Sequence, residues 1–272
     1  MTAIATLPIM VAIPKERMMS YRTIKLEKDA GIATLTLNRP DVLNAISEEM
    51  FRELDEAVTD IENDESVRVA IFTGAGERAF CAGADIHEMA RKAEKDGTQP
   101  DDGKRSEVFW RIATCSKPTI GALNGLAYGG GSVFASSFDI RVGCERSSFR
   151  FLAASYGRVN ATWSLPMQIG WPLAKELLMS ARVVDAKEAF RIGLLNHLVA
   201  AADLMDKARE LAKQIAANDP RMVQGIKKLM IGHTGSEWAE MYAEEKNARA
   251  TWLSATPVLE GFKEFLDRKG RK

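Results

Sequence analysis

The chain has 272 residues, 46% of them hydrophobic, enough to fill a sizeable core as one large domain or two small ones. Its 37 basic and 37 acidic side chains balance, so charge gives no reason to expect a nucleic-acid or membrane partner. Three cysteines (Cys81, Cys115 and Cys144) are odd in number and widely spaced, which predicts neither a disulfide framework nor a zinc site and points to a reducing, cytoplasmic compartment.

Residues 1–20 read as a loosely held N-terminal extension. They are mildly apolar, but Pro8 and Pro14 interrupt them, and Lys15 and Arg17 follow the apolar stretch where a secretory signal has its basic residues first. The length also falls well short of a membrane span, and no later segment approaches one. Strands are expected over 21–27 and 32–37, joined at Asp29-Ala30-Gly31. After a turn-rich connection at 38–46, Ser47 stands at an N-cap position. Glu48 and Glu49 suit the positive end of the helix that follows, and Met50, Phe51, Leu54, Ala57, Val58 and Ile61 keep one apolar face. A β-branched strand over 67–73 completes an alternation that predicts an α/β fold with right-handed crossovers.

Gly74-Ala75-Gly76-Glu77-Arg78-Ala79 formally matches a dinucleotide-binding pattern. It continues into Phe80-Cys81-Ala82-Gly83-Ala84, which has no helical period, so nucleotide binding of that kind is not expected there. Residues 86–103 are polar and charged and read as a mobile flap with one short helix. Helical spacing returns over 104–115, and a buried strand follows over 119–123. Short strands are expected over 139–143 and 148–152, then a helix over 165–180 bent at Gly170-Trp171-Pro172. Asp185 caps a helix through Arg191 that Gly193 ends, and 194–199 is a strand. Helices are then expected over 202–217, 221–231, 236–253 and 257–268, with no internal repeat anywhere.

The stretch 123–140, LNGLAYGGGSVFASSFDI, is the centre of the functional reading. Three glycines, Gly129, Gly130 and Gly131, open a short apolar helix whose first N–H groups have no internal partner, a place that suits an anion or a developing oxyanion. Alone, such a triplet is most simply a tight turn. A second small-residue stretch, Ala79-Phe80-Cys81-Ala82-Gly83-Ala84-Asp85-Ile86, also follows a strand-like run.

These two stretches, with RPDVLNAI (39–46), KPTIGALNGLAYGGGSVFASSFDI (117–140), SARVVDAKEAFRIGLLNHLV (180–199) and EGFKEFLDRK (260–269), resemble the enoyl-CoA hydratase/isomerase (crotonase) superfamily over about residues 21–268. The resemblance implies an α/β spiral of ββα units over 21–200 and a C-terminal helical trimerisation region over 201–272, with trimers that often pair as hexamers. It implies an acyl-CoA thioester as partner and no cofactor or metal beyond the CoA moiety of the substrate. It places the oxyanion-hole N–H groups at Ala84 and Gly130, and contacts to CoA at Val42, Leu43, Ala45, Ala82, Ala84, Asp85, Ile86 and His87. At Asp41, where hydratases often carry a lysine near the CoA phosphates, the charge is reversed.

The catalytic positions depart from the pattern. The two hydratase glutamates map onto Val133 and Ala153, and no Asp, Glu or His lies between Leu126 and Phe138 or strictly between Glu145 and Glu176. Adding water across a double bond needs an acid and a base within hydrogen-bond reach of that water. The expectation is therefore a lyase, isomerase or hydrolase of fatty or aromatic acid metabolism that uses the hole without the standard two-glutamate hydration. The alternative is a non-catalytic acyl-CoA-binding protein. Among the polar side chains of the matching loops, Tyr156 or Asn160 would orient a water or carboxylate and Arg158 would meet an acidic substrate, although each alone is most simply a loop hydrogen-bonder. Asp139 is expected to be structural, Glu145 solvated, and Trp163 pocket wall or core. Glu237, Glu240 and Glu244 would reach a site only through folding or assembly.

Overall fold

The computed structural model describes residues 21–97 and 102–256. The expectations for the N-terminal extension and for a helix at 257–268 lie outside the described residues. The chain opens with an antiparallel hairpin, β1 (Ile24–Asp29) and β2 (Ile32–Leu37). A 3-10 turn at Pro40–Val42 leads to α1 (Glu48–Asn63), where the Ser47 hydroxyl accepts from the Met50 N–H and Met50, Leu54, Ala57, Val58 and Ile61 are buried. Next come β3 (Val69–Gly74), β4 (Ala79–Cys81), α2 (Ile86–Asp96) and α3 (Asp102–Thr114). They are followed by β5 (Thr119–Leu123), β6 (Leu126–Tyr128), α4 (Gly130–Ala135), β7 (Ile140–Cys144) and β8 (Ser148–Arg150).

The strands sort into two sheets. One has six strands in the order β1, β2, β3, β5, β7 and β10 (His197–Val199); the other has four, β4, β6, β8 and β9 (Val184–Asp185). From β3 to β8 each successive pair of strands gives one member to each sheet, with parallel pairing from one turn to the next. This is a spiral of ββα units. β3 is buried along its whole length, as a parallel strand covered on both faces must be.

Between β8 and β10 lie α5 (Leu165–Ile169), α6 (Trp171–Ser180) and α7 (Ala186–Arg191); α8 (Leu204–Ala216), α9 (Pro220–Gly232) and α10 (Trp238–Ala250) follow β10. One face of the six-stranded sheet is covered by α8, whose Leu204, Ala208 and Ala212 join Val69, Ile71, Ile120 and Val142 in a second core cluster. The larger cluster holds α1, α3 and α4 together, centred on Phe134, which meets Phe72, Phe80, Phe109 and Phe138 at ring separations of 5.0–6.0 Å.

Two expectations are corrected. The helix of 165–180 is broken rather than bent, because Gly170 sits at φ 78° and ψ 160°, outside any helical region, and starts α6 afresh as its N-cap. The strand of 194–199 is only β10, since Asn196 turns its side chain to accept from the Arg141 N–H at 2.8 Å. The short helix expected within 86–103 is α2, capped by Asp85 and ended by Gly97 in the left-handed region.

Asp139 is structural, as expected. Its Oδ2 accepts from the Thr119 N–H at 2.8 Å, the Thr119 hydroxyl at 2.9 Å and Lys227 Nζ at 2.7 Å, tying α9 to the edge of β5. The Lys227 side chain is only 9% exposed, so its charge depends on that pair and on the Lys117 carbonyl at 3.1 Å. Breaking a buried pair from one side destabilises by about 3–5 kcal/mol, and the partial wetting of Asp139 lowers the expectation for Lys227→Met to about 2–3 kcal/mol. Lys228→Met, which removes only a cation over the exposed Trp252 ring, is expected to lose less than about 1 kcal/mol. Urea unfolding of the two variants measures the contrast.

Candidate active site

Strands β4, β6 and β8 are parallel neighbours, so their C-terminal ends lie along one edge of the four-stranded sheet. β4 runs into Ala82–Asp85, β6 into Gly129 and the start of α4, and β8 into Phe151–Ala153. Sheet topology thereby assembles at one edge the two segments expected to donate N–H groups and the second of the two expected acid positions. The first, Val133, is on α4 itself.

The donor segments meet backbone to backbone. A Cβ added at Gly131 would lie 2.0 Å from the Cys81 carbonyl oxygen, and one at Gly83 would lie 2.7 Å from the Tyr128 oxygen and 2.9 Å from the Gly130 nitrogen. Gly83 is also at φ 95°, which side chains rarely adopt. From the Gly130 side, an added Cβ would lie 3.6 Å from the Ala84 nitrogen, so the two N–H groups border one small space.

Ala84 is held by a parallel bridge to Ile46, whose N–H donates to the Gly83 carbonyl at 2.7 Å and whose carbonyl accepts from Asp85 N–H at 3.0 Å. In such a bridge the flanking residues use their groups towards the partner, and the N–H of Ala84 faces the other way. Gly130 is the first residue of α4, where an N–H has no acceptor within the helix. Among the described residues, neither N–H has a hydrogen-bond acceptor.

Two buried asparagines fix the loop that feeds β4. Asn44 Nδ2 donates to the carbonyls of Ala75 and Ala79, both at 3.0 Å. Asn124 accepts from Gly74 N–H at 3.1 Å and donates to Gly76 O at 2.8 Å and Ala79 O at 3.1 Å. Residues 74–79 thus join β3 to β4 and start no helix, so the dinucleotide pattern lacks the helix N-terminus that such a site uses.

The expected CoA contacts separate into two groups. Val42, Ile86 and His87 are exposed, forming a rim beside the more buried Leu43, Ala45 and Ala82. The Asp85 carboxylate is already committed: Oδ1 accepts from the Glu88 N–H at 3.1 Å and caps α2, and Oδ2 pairs with Arg39 at 3.0 Å. Burial pushes this carboxyl up, but the Glu88 N–H and Arg39 outweigh it and hold it below the usual range. A ligand contact from Asp85 is therefore left to its main chain. Burial pushes the Cys81 thiol up to about 12 against the lowering effect of the Gly83 N–H, so it stays protonated beside the site.

Around Val133 the serine hydroxyls are closed on protein partners. Val133 is 4% exposed, and its carbonyl accepts the hydroxyls of Ser136 at 2.9 Å and Ser137 at 2.8 Å. Ser136 also meets the Ser164 hydroxyl at 2.9 Å, and Gln168 Nε2 donates to the Ser136 carbonyl. Ala153 precedes a 3-10 turn, Ala154–Tyr156, and borders a cleft of about 350 Å³ with Asn160, Thr162, Pro166, Trp171 and Leu178. Arg158 and Asn160 line this cleft; Tyr156, 67% exposed, does not. The buried side-chain oxygens Asn160 Oδ1 and Gln168 Oε1 have no hydrogen-bond partner among the described residues.

Other acids are occupied. Glu145 is exposed, as expected, and accepts from the Ala201 N–H at 2.9 Å. Glu237 and Glu240 close a capping box on α10, and Glu244 lies 3.4 Å from His233. Trp163 stacks edge-on with Trp110 of α3 at 5.4 Å, half in solvent. Arg39 received no role from the sequence. The signal was the Asn-Arg-Pro step before the turn, and its meaning depends on where Asp85 folds back.

The family model described as enoyl-CoA hydratase/isomerase matches residues 27–271. The chain is similar to the short-chain-enoyl-CoA hydratase of Clostridium acetobutylicum, with 38% identity over 76% of this chain and 80% of that one. It is similar to the crotonyl-CoA hydratase of Syntrophomonas wolfei, with 31% identity over 92% of this chain and 97% of that one. Among solved structures it is similar to an enoyl-CoA hydratase from Bacillus anthracis, with a TM-score of 0.84 and 29% identity over 91% of this chain and 97% of that one.

The close approach at Gly83 gives a direct test. Gly83→Ala combines positive φ with contacts near 2.7 Å, whereas Gly235→Ala, at φ 84°, meets nothing within 4 Å. Gly235→Ala is expected to lose about 1–2 kcal/mol, the left-handed backbone term alone. Gly83→Ala should exceed it and also lose acyl-CoA binding, read by thermal unfolding and calorimetric titration.

Proposed function

The chain belongs to the enoyl-CoA hydratase/isomerase family, and from that membership we propose that it processes an acyl-CoA thioester by stabilising an enolate at the Ala84 and Gly130 N–H groups. The observation that carries the reading is the pair of unpartnered donors bordering one space. A thioester oxygen placed there accepts both hydrogen bonds, and as charge develops on it the donors need no reorganisation. Each such donor is worth about 3–4 kcal/mol of barrier in a site closed to water.

Standard two-glutamate hydration is not the reaction we assign. Val133 and Ala153 carry no proton, and the hydroxyls near Val133 already donate to protein acceptors. Chemistry that reaches the enolate by breaking a bond from the α-carbon to a carbon substituent, with the bonding electrons left on the thioester and the substituent released as an electrophile such as carbon dioxide, needs no protein base at that step. A lyase, isomerase or hydrolase of this kind fits the residues present. The alternative is an acyl-CoA-binding protein without turnover, favoured by the same missing acids.

For assembly we propose a homotrimer or a dimer of trimers, with the C-terminal helices contributing. Supporting it are large apolar side chains left exposed on the single chain, among them Trp171, Met179 and Met167. The three cysteines are free and buried, which fits the reducing, cytoplasmic compartment we propose. Among the described residues no helix is long and apolar enough to cross a membrane.

Purified protein mixed with crotonyl-CoA, a longer enoyl-CoA and a malonyl-type thioester is expected to bind acyl-CoA while leaving the enoyl absorbance unchanged. Rapid hydration would overturn the reading of Val133 and Ala153. Binding of every thioester without turnover would select the non-catalytic alternative.

The donor itself is tested at the first position of α4, where proline is tolerated and replaces the N–H by its ring Cδ, removing the donor and occupying its space. Relative to Gly130→Ala, which adds a Cβ and keeps the donor, Gly130→Pro is expected to lose a further 10²- to 10³-fold, as order of magnitude, in any thioester turnover.

A further inference from the structure

The segment that aims the Ala84 N–H is attached to residues 39–46 by the bond from the Ala82 N–H to the Leu43 carbonyl at 3.0 Å, by the main-chain bridge to Ile46 and by the side chain of Arg39. Arg39 Nη1 donates to the Ala45 carbonyl at 2.6 Å and Nη2 donates to Asp85 Oδ2 at 3.0 Å. Ala45 is the residue before Ile46 and Asp85 the residue after Ala84, so one planar guanidinium spans the two ends of the bridge. The contact is well enclosed, with side-chain exposure of 24% for Arg39 and 11% for Asp85. Arg39 is itself fixed, since its backbone N–H donates to the Asn44 side chain at 3.0 Å while the other end of that amide holds the Ala75 and Ala79 carbonyls.

We propose that Arg39 is a positioning residue for the thioester oxygen. Through Ala45 and Asp85 it sets the direction of the Ala84 N–H without touching the ligand. This rests on the reading of Ala84 and Gly130 as the donors to that oxygen. Without the guanidinium, Asp85 keeps its cap on α2 but loses the group that pulls it towards residue 45. The bridge then has only main-chain bonds to resist rotation. A misaimed donor weakens with angle more steeply than it weakens binding of the rest of a large ligand. Arg39 therefore acts on polarisation of the thioester rather than on affinity for CoA.

The test uses a cinnamoyl-type CoA thioester, whose conjugated absorbance moves to longer wavelength when its carbonyl is polarised, so that it reads the hole without requiring turnover. Full-length wild type, Arg39→Ala and Arg39→Lys are compared for bound-state absorbance, calorimetric Kd and thermal unfolding. The wild type is expected to show a red shift. Arg39→Ala should lose half of it or more, with Kd within about threefold and, on any thioester turned over, kcat lowered about tenfold to hundredfold at nearly constant KM. Arg39→Lys, a point donor that reaches one acceptor at a time, should restore part of the shift. A full red shift in folded Arg39→Ala overturns the positioning role, as does equal loss in both variants tracking only their unfolding temperature. If wild type binds the probe with no shift, the donor reading itself fails, an outcome distinct from either of those.

Discussion

Residues 81–84 and 129–131 lie closer together than any side chain allows, with the Cys81 carbonyl pressed against the Cα of Gly131 and the Gly83 Cα against Gly130. Backbone set against backbone buries little apolar surface, so the contact contributes little hydrophobic stabilisation of its own. It must be maintained by what surrounds it. Behind it, Phe80 of β4 and Phe134 of α4 pack at 5.4 Å, so both donor segments are anchored in one aromatic cluster. To the side, Asn44 and Asn124 take up the Gly74 N–H and the carbonyls of Ala75, Gly76 and Ala79 in the feeding loop.

Parallel pairing then does what no local interaction could. Because β4, β6 and β8 run the same way in adjacent positions, three segments that follow strand ends at Cys81, Tyr128 and Arg150 emerge at one edge. The spiral delivers them in order: first donor, second donor, then the loop that begins at Ala153. Variation in that third loop, where the cleft with Asn160 lies, leaves the first two untouched. In the function proposed above, this separates the polarising N–H groups from the loop that would choose the reaction.

Much of this was legible in the sequence. Ser47 and the apolar face of α1, the β-branched run of β3 and the glycine triplet at the start of α4 each carry a local signal that the fold obeys. What was missed has nonlocal causes. Arg39 and Asp85 are 46 residues apart and meet only when the first crossover is complete. The break at Gly170 was underestimated for a different reason: Pro172 permits either a kink or a new start, and only the backbone conformation of Gly170 decides between them.

The polar groups near Val133 and Ala153 also differ in kind from the pair of acids they would replace. The hydroxyls of Ser136 and Ser137 already donate to a protein carbonyl, and hydrogen bonding of this sort fixes protons rather than delivering them. The buried side-chain oxygens without a partner, on Asn160 and Gln168, are amide acceptors, able to orient a donor but far too weakly basic to take its proton. Donors directed at one oxygen therefore coexist with acceptors that cannot drive proton transfer. Under the function proposed above, the charge on the thioester originates in the substrate's own bond breaking. The pocket's contribution is then to be dry and correctly aimed, which makes the direction of the Ala84 N–H matter more here than it would beside a strong general base.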